Sequence, residues 1–223
     1  FIVDRSGIKQ GEIITTDFGS ISPQGISHIP TTGNFAIVDN IDDEVFIVDA
    51  SGVLQGQFDT AVFGADNPTG IAHIPTSGGF AIVDNTDNEM YIVDSSGTLK
   101  GQCGTVSFGA NTPTGIAHIP TTGNFAIVDS SADEVFIVNS SCLLQDQFDT
   151  AFVSISPQGI AFDSAKNNFP IVDEGADEVF SINAEGEWFY QFSTDTFGST
   201  SPVGITHISG TDNFAIVDNS ADE

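Results

Sequence analysis

The amino-acid sequence predicts an all-β fold: a five-bladed β-propeller whose blades are four-stranded antiparallel sheets. Three observations lead to this prediction. One phrase recurs from end to end, each repeat contains four short apolar segments, and the incomplete repeats at the two ends add up to one complete repeat. Self-similarity at a period of about 40 to 50 residues is typical of propellers and other repeat arrays.

The recurring phrase reads Pro68-Thr-Gly-Ile-Ala-His-Ile-Pro75 in its second copy. Aligned on its first proline, it returns every 44 or 45 residues. This spacing divides a single domain, residues 1–223, into five blades: 23–67, 68–112, 113–156, 157–201, and a composite of 202–223 plus 1–22.

Each repeat holds four candidate strands, A to D, separated by turn residues. In the second repeat they are 70–74, 80–84, 90–94 and 99–103. Segments B and C are unbroken apolar runs, which predicts central strands covered on both faces. Segment D alternates apolar and polar residues, as in Leu54-Gln-Gly-Gln-Phe58, so one of its faces should meet water.

The two ends predict how the ring closes. After Pro202 the chain supplies only segments A and B, whereas residues 1–22 supply segments C and D. The N-terminal C strand should therefore pair with the C-terminal B strand, which would remove the exposed edges of an open sheet. Because the chain opens inside a repeat, we expect a processed product or an excised segment.

Two further expectations concern packing. A phenylalanine stands five residues before each repeat proline, and we expect these rings to fill the wedges between blades: Phe18, Phe63, Phe108, Phe152 and Phe197. Cys103 and Cys142 occupy non-equivalent repeat positions. We therefore expect no disulfide, with Cys103 in the core and Cys142 as an exposed thiol.

Charge limits the partners. Four Lys and Arg stand against 31 Asp and Glu, giving a net charge of −27. This charge disfavours nucleic acid and anionic membranes, and it favours cations and basic surfaces. No apolar run approaches the ~20 residues of a membrane span, so no membrane insertion is expected.

The repeat resembles the blade of NHL-repeat propellers and of the related SdiA-regulated type. The resemblance rests on Pro-Thr-Gly-Ile-Ala, on Gly-Asn-Phe-Ala-Ile-Val-Asp, and on Glu-Val-Phe-Ile-Val-Asp-Ala-Ser-Gly, and it extends over the whole chain. It implies a propeller fold. Those families typically make six blades and often carry a basic pair at the B to C turn, where this chain has acids such as Asp43 and Glu44.

The B to C turns carry the first candidate site, because clustered carboxylates supply the oxygen ligands that Ca²⁺ prefers. Alternatively, the first aspartate of each set bonds to the turn backbone and the others form a solvated surface. The candidate metal ligands are Asp39, Asp43, Glu44, Asp84, Asp87, Glu89, Asp129, Asp133, Glu134, Asp173, Asp177, Glu178, Asp218, Asp222 and Glu223.

A histidine ring is the second candidate. One position on the innermost strand is occupied by His28, His73, His118 and His207, with Phe162 in the fourth blade. Equivalent positions on innermost strands face a common axis, so these side chains should line the channel and titrate together near pH 6. The plainer alternative is four repeat-copied histidines bonded to neighbouring backbone.

The fourth blade departs from the repeat and supplies a third candidate. It holds Trp188 and Tyr190 on its outer strand, where aromatic rings either stack on a sugar or protein partner or pack the edge of the sheet.

The sequence contains no nucleophile elbow, zinc-protease motif, phosphate-binding loop or dinucleotide fingerprint. Repeated groups around a ring favour multivalent binding. We therefore expect a non-catalytic recognition or scaffold module, extracellular or at the cell surface, for a glycan, a protein or a divalent cation. Two alternatives remain: a calcium-dependent hydrolase of the lactonase or phosphatase kind, and a structural unit of a larger array or fibre.

Overall fold

The computed structural model describes residues 1–154 and 156–220, which form twenty strands and four short 3₁₀ turns. The chain begins with β1 (Ile2–Asp4) and β2 (Lys9–Gly11). Blade one follows with β3 (Pro23–Ile29), β4 (Asn34–Asp39), β5 (Glu44–Val48) and β6 (Leu54–Asp59). Blade two contains β7 (Pro68–Ile74), β8 (Gly79–Asp84), β9 (Glu89–Val93) and β10 (Leu99–Gly104).

Blade three contains β11 (Pro113–Ile119), β12 (Asn124–Asp129), β13 (Glu134–Val138) and β14 (Leu144–Asp149). Blade four contains β15 (Pro157–Ile160), β16 (Phe169–Asp173), β17 (Glu178–Ile182) and β18 (Trp188–Ser193). The last strands are β19 (Pro202–His207) and β20 (Asn213–Asp218). The 3₁₀ turns span Thr15–Asp17, Ala61–Phe63, Thr105–Phe108 and Asp195–Phe197.

The predicted fold class is confirmed. The strands form five four-stranded antiparallel sheets, and the fifth has the order β19-β20-β1-β2. Ile2 pairs with Ala215 and Val3 pairs with Phe214, so the N-terminal strand closes the ring against the C-terminal one. The amino group of Phe1 adds a 2.7 Å hydrogen bond to the carbonyl oxygen of Ile216.

A ring of glycines explains how five blades meet at the axis. One glycine stands in each innermost strand, at Gly25, Gly70, Gly115, Gly159 and Gly204. A β-carbon on Gly25 would lie 2.8 Å from the Cα of Gly70, and one on Gly204 would lie 2.9 Å from the Cα of Gly25. Real side chains do not approach backbone this closely, so only glycine lets neighbouring innermost strands touch.

The phenylalanine prediction holds only in part. Phe18, Phe108 and Phe197 are buried, but Phe152 is 57% exposed. The D to A loop of blade three is one residue shorter than its counterparts, so the packing register changes there. Val153 donates its backbone N–H to Thr150, as Phe63 does to Thr60, and it packs against the blade three and four core.

The prediction that the cysteines stay unpaired was wrong, because Cys103 and Cys142 form a disulfide between blades two and three. Cys103 lies on the outer strand of blade two, and Cys142 lies in the C to D turn of blade three. At three other blade boundaries these two positions also face each other, through Gly7, Gly52 and Gly97. A β-carbon on Gly97, for example, would lie 2.6 Å from Cδ2 of Phe58.

The antiparallel topology gives the disc two faces. We call the face formed by the B to C turns and the D to A loops the acidic face. The A to B and C to D turns form the opposite face, which we call the histidine face. Within the described residues, no helix is long and apolar enough to cross a membrane.

Candidate functional site

Five buried aspartates join the B to C turns of the acidic face to the neighbouring loops by hydrogen bonds. Asp39, Asp84, Asp129, Asp173 and Asp218 each end a B strand and are at most 1% exposed. Asp39 Oδ2 accepts hydrogen bonds from Ser20 Oγ at 2.8 Å and from Ser22 N at 2.7 Å, while Oδ1 accepts from Asp42 N at 3.0 Å. Burial alone would raise the pKa of Asp39, but these hydrogen bonds hold it below its usual value.

The other four aspartates repeat this pattern. Asp84 accepts from Asn67 N at 2.7 Å and Asp218 accepts from Ser201 N at 2.8 Å, in each case across the turn to the loop before strand A. The first aspartate of each predicted set therefore accepts hydrogen bonds from backbone N–H groups, as in the alternative to metal binding given above.

Three aspartates and one asparagine lie at the tips of the B to C turns of blades one to four. Asp43, Asn88, Asp133 and Asp177 have φ between 51° and 55°. Their backbone oxygens accept hydrogen bonds from the D to A loop, as from Thr60 N to Asp43 O at 2.6 Å. Burial raises the pKa of Asp43, and the neighbouring Asp66 and Asp59 raise it further, which shows that carboxylates are crowded at this edge.

Other candidate ligands occupy the same face. Asp87 is exposed, whereas Glu44, Glu89, Glu134 and Glu178 are partly buried at the start of the C strands. Gln57 donates to Glu44 and Gln102 donates to Glu89 from the adjacent D strands. Asp222 and Glu223 lie outside the described residues. Across the described chain, no group of three or more His, Cys, Asp or Glu is arranged to hold a metal ion.

The positive charges lie elsewhere. Arg5 is in a C to D turn, Lys166 is in an A to B turn, and Lys9 and Lys100 stand near the start of outer strands. None of them is in a B to C turn or a D to A loop. The D to A loops and the strand ends beside them instead add Asp17, Asp59, Asp66, Asp149 and Asp195 to the acidic face.

The histidine face opens into the axial channel. A cavity of about 100 Å³ is lined there by His28, His73, His118, His207 and Phe162, so the structure brings the candidate channel residues together. Each ring packs on the phenylalanine that pairs with its strand. The centroids of His73 and Phe80 are 5.7 Å apart, and those of Phe162 and Phe169 are 5.3 Å apart.

Two kinds of hydrogen bond join neighbouring blades at these histidines. Ser27 Oγ accepts from His73 N at 2.8 Å, and His28 Nδ1 accepts from Ser209 N at 3.2 Å. Burial lowers the pKa of His28, and the nearby His207 and His73 lower it further. Burial also lowers the pKa of His73 and of His118. Burial and mutual repulsion therefore both act against charging of these imidazoles, and joint protonation near pH 6 remains a prediction.

Blades four and five meet through a polar cluster that breaks the repeat. Arg5 Nη2 donates to Asp163 Oδ2 at 2.7 Å and to Asp212 Oδ1 at 2.9 Å. Its guanidinium lies 5.5 Å from the ring centroid of Tyr190. Asp163 is fully buried and takes the place of an isoleucine found in the other four blades. The sequence offered a signal for this cluster in that single substitution.

The two candidate recognition aromatics have different surroundings. Trp188 is 53% exposed on the outer strand. Tyr190 is largely covered, stacked on Phe192 with centroids 6.4 Å apart, and burial raises its pKa to about 12. Tyr190 therefore belongs to the blade junction, and Trp188 alone offers a free ring face.

Comparison with known proteins gives the fold. No family model matches the chain, and no curated protein is significantly similar to it in sequence. Among solved structures, a catalytically inactive virginiamycin B lyase from Staphylococcus aureus with quinupristin is similar with a TM-score of 0.56 and 16% identity. The similarity covers 87% of this chain and 62% of that one.

The nidogen/laminin complex contains a chain with a TM-score of 0.63 and 18% identity, covering 84% of this chain and 69% of that one. A streptogramin B lyase structure has a TM-score of 0.56 and 12% identity, covering 92% and 76% of the two chains. The chain spans less than two thirds of the length of the two virginiamycin B lyase structures, 62% and 65%. At these identities the similarity establishes a β-propeller fold, shared by a lyase and by a component of a protein complex.

Proposed function

We propose that the protein is a non-catalytic recognition module whose acidic face binds a protein partner through a basic surface. The observation that carries this proposal is the separation of charge. Every Lys and Arg lies away from the acidic face, while the B to C turns and D to A loops carry carboxylates in every blade. Such a face attracts basic partners and rejects acidic ones.

Repetition strengthens the attraction. The B to C turns of blades one to four present similar carboxylates at similar places, so a partner with several basic groups can engage more than one blade at once. Weak contacts linked in this way give useful overall affinity. Most glycans are neutral or acidic, so charge favours a protein over a glycan at this face. The nidogen/laminin structure is a precedent for a propeller in a protein complex.

The disulfide between Cys103 and Cys142 supports a location outside the cytoplasm, at the cell surface or beyond it. Disulfides persist in oxidising compartments and are rare where thiols are kept reduced.

A calorimetric titration with a lysine-rich peptide tests the proposal. One variant, D42N/D66N/D87N, removes three exposed charges from the acidic face. A matched control, D146N/E185Q/E187Q, removes three exposed charges outside it. We expect the first variant to weaken binding about tenfold, since each exposed charge contributes roughly 0.5 kcal/mol. The control should bind like the wild type.

Equal weakening in both variants would mean that net charge alone attracts the peptide, and the proposal would then fail. Salt screens contacts between exposed charges, so binding should weaken as NaCl is raised from about 0.05 M to about 0.5 M. An affinity that stays constant over this range would also contradict the proposal.

A divalent cation is the second candidate ligand of the same face. Asp43 Oδ1 and Asp177 Oδ1 are buried without a hydrogen-bond partner, and burial raises the pKa of both residues, as do neighbouring carboxylates. Oxygens of this kind suit Ca²⁺. A CaCl₂ titration should give a heat that disappears in D43N/D177N; the same heat in that variant would exclude these two oxygens as ligands.

A further inference from the structure

A cavity of about 130 Å³ opens at the outer edge of the ring between blades two and three. Met90 and Ile92 of β9 form its apolar side, beside the Cys103–Cys142 disulfide. Gln102, Ser140 and Ser141 form its polar rim.

The equivalent place at two other blade boundaries is filled by a phenylalanine ring. Phe58 of blade one lies against Gly97 of blade two, where an added β-carbon would be 2.6 Å from Cδ2. Phe192 of blade four lies against Gly7 in the same way, at 2.8 Å. In both cases the ring lies on a glycine with positive φ.

Between blades two and three, both partners of this pair are replaced. Cys103 opposes Met90 across the strand pair just as Phe58 opposes Val45, so it stands in the phenylalanine position. Cys142, with φ 58°, stands in the glycine position. Two bonded sulfur atoms occupy less space than a phenyl ring, and the cavity lies beside them.

We propose that this cavity is a binding site for one small neutral aromatic ring with a hydroxyl group, a phenol. Its volume is close to that of an engineered cavity of about 150 Å³ that binds benzene in another protein. The thioether of Met90 and the disulfide offer sulfur atoms to a ring, a favourable contact. The hydroxyls of Ser140 and Ser141 and the amide of Gln102 can bond to the ligand's hydroxyl. An anionic ligand is disfavoured by the net charge of −27.

Met90 makes the proposal directly testable because it is the only methionine in the chain. Protein labelled with ¹³C at the methionine methyl gives a single resonance that reports on this cavity. Titration with phenol should move that resonance saturably, since a bound ring shifts the methyl group it covers. No saturable movement up to the solubility limit of phenol would overturn the proposal.

Two variants fill the cavity. C103F/C142G restores the pair found at the Phe58 and Phe192 boundaries, and its Met90 resonance should not move with phenol. G101F provides a second route, because a β-carbon at Gly101 meets nothing within 4 Å and the equivalent position in blade four is Tyr190. A titration with the wild-type midpoint in either folded variant would place phenol elsewhere and overturn the proposal. The phenol titration uses no basic ligand, so its outcome is independent of the proposed function.

Discussion

Arg5 and Asp163 form a 2.7 Å ion pair between residues 158 positions apart, linking the first turn of the chain to blade four. Asp163 is fully buried, and the side chain of Arg5 is 22% exposed. The pair therefore reinforces ring closure at the boundary where the N-terminal strands enter the sheet.

Removing one partner of this pair should be costly. R5A leaves a buried carboxylate without its cation, and we expect a loss of about 3 kcal/mol in the free energy of unfolding. The double variant R5A/D163I restores the isoleucine of the other four blades and should recover most of that loss. Chemical denaturation of both variants measures the difference. If R5A/D163I is no more stable than R5A, the unpaired carboxylate of Asp163 is not the cause of the lost stability.

The glycine ring makes a second prediction. A methyl group on Gly70 would lie 2.8 Å from the Cα of Gly115, so G70A must push two innermost strands apart. We expect it to lower the free energy of unfolding by about 3 kcal/mol. G101A is the matched control, because its added methyl group meets nothing within 4 Å. If G70A and G101A unfold at the same denaturant concentration, the close contact between innermost strands does not require glycine.

The disulfide makes a third prediction. Its two cysteines are 39 positions apart, and closing a loop of that length should stabilise the fold by about 3 to 4 kcal/mol. C103S/C142S should therefore unfold at a lower temperature than the oxidised wild type, and adding a reductant should change only the wild type. C103F/C142G should regain part of the loss by burying a ring. Wild-type protein that is insensitive to reductant would contradict this account.

The histidine cavity predicts the direction of a pH effect. Burial lowers the pKa of His73 and His118 in the folded state from 6.5, so the unfolded chain binds protons more readily than the folded chain. Stability contributed by the neutral imidazoles is then present above pH 6.5 and is lost as the pH falls through that value.

H73F/H118F should remove much of this loss. Phe162 already occupies the equivalent position in blade four, packed on Phe169 as His73 is on Phe80, so the replacement keeps the local packing. The melting temperature measured from about pH 8 to about pH 5 should fall less for the variant than for the wild type. Identical slopes would mean that other groups dominate the acid response.

Much of the fold could be predicted from the sequence because each repeat marks where its strands begin and end. The proline spacing and the apolar runs at Phe35 and Val45 fix the strands, and the split repeat fixes the closure. The disulfide was missed because Cys103 and Cys142 are non-equivalent within one repeat yet opposite each other between repeats. The prediction for Phe152 was wrong because it was aligned on the following proline, Pro157, and the loop between them is one residue shorter than in other blades. Aligned on Thr150, the residue equivalent to Phe63 is Val153.

The candidate site was less predictable. Composition indicates acidity, but only the topology shows that the B to C turns and the D to A loops share one face. The roles of Asp39 and Asp43 differ although both are acids of one turn: Asp39 is saturated by backbone donors, whereas Asp43 stands among other carboxylates. That difference depends on the loop before strand A, which is distant from the turn in sequence.

The most direct test of the central claim is to map which face a basic ligand covers. Carboxylate cross-linking of the protein with the lysine-rich peptide, followed by mass spectrometry, reports the residues in contact. We expect links at Asp42, Asp66 and Asp87, in the B to C turns and D to A loops. Links concentrated at Asp146, Glu185 and Glu187, or spread evenly over both sets, would contradict it.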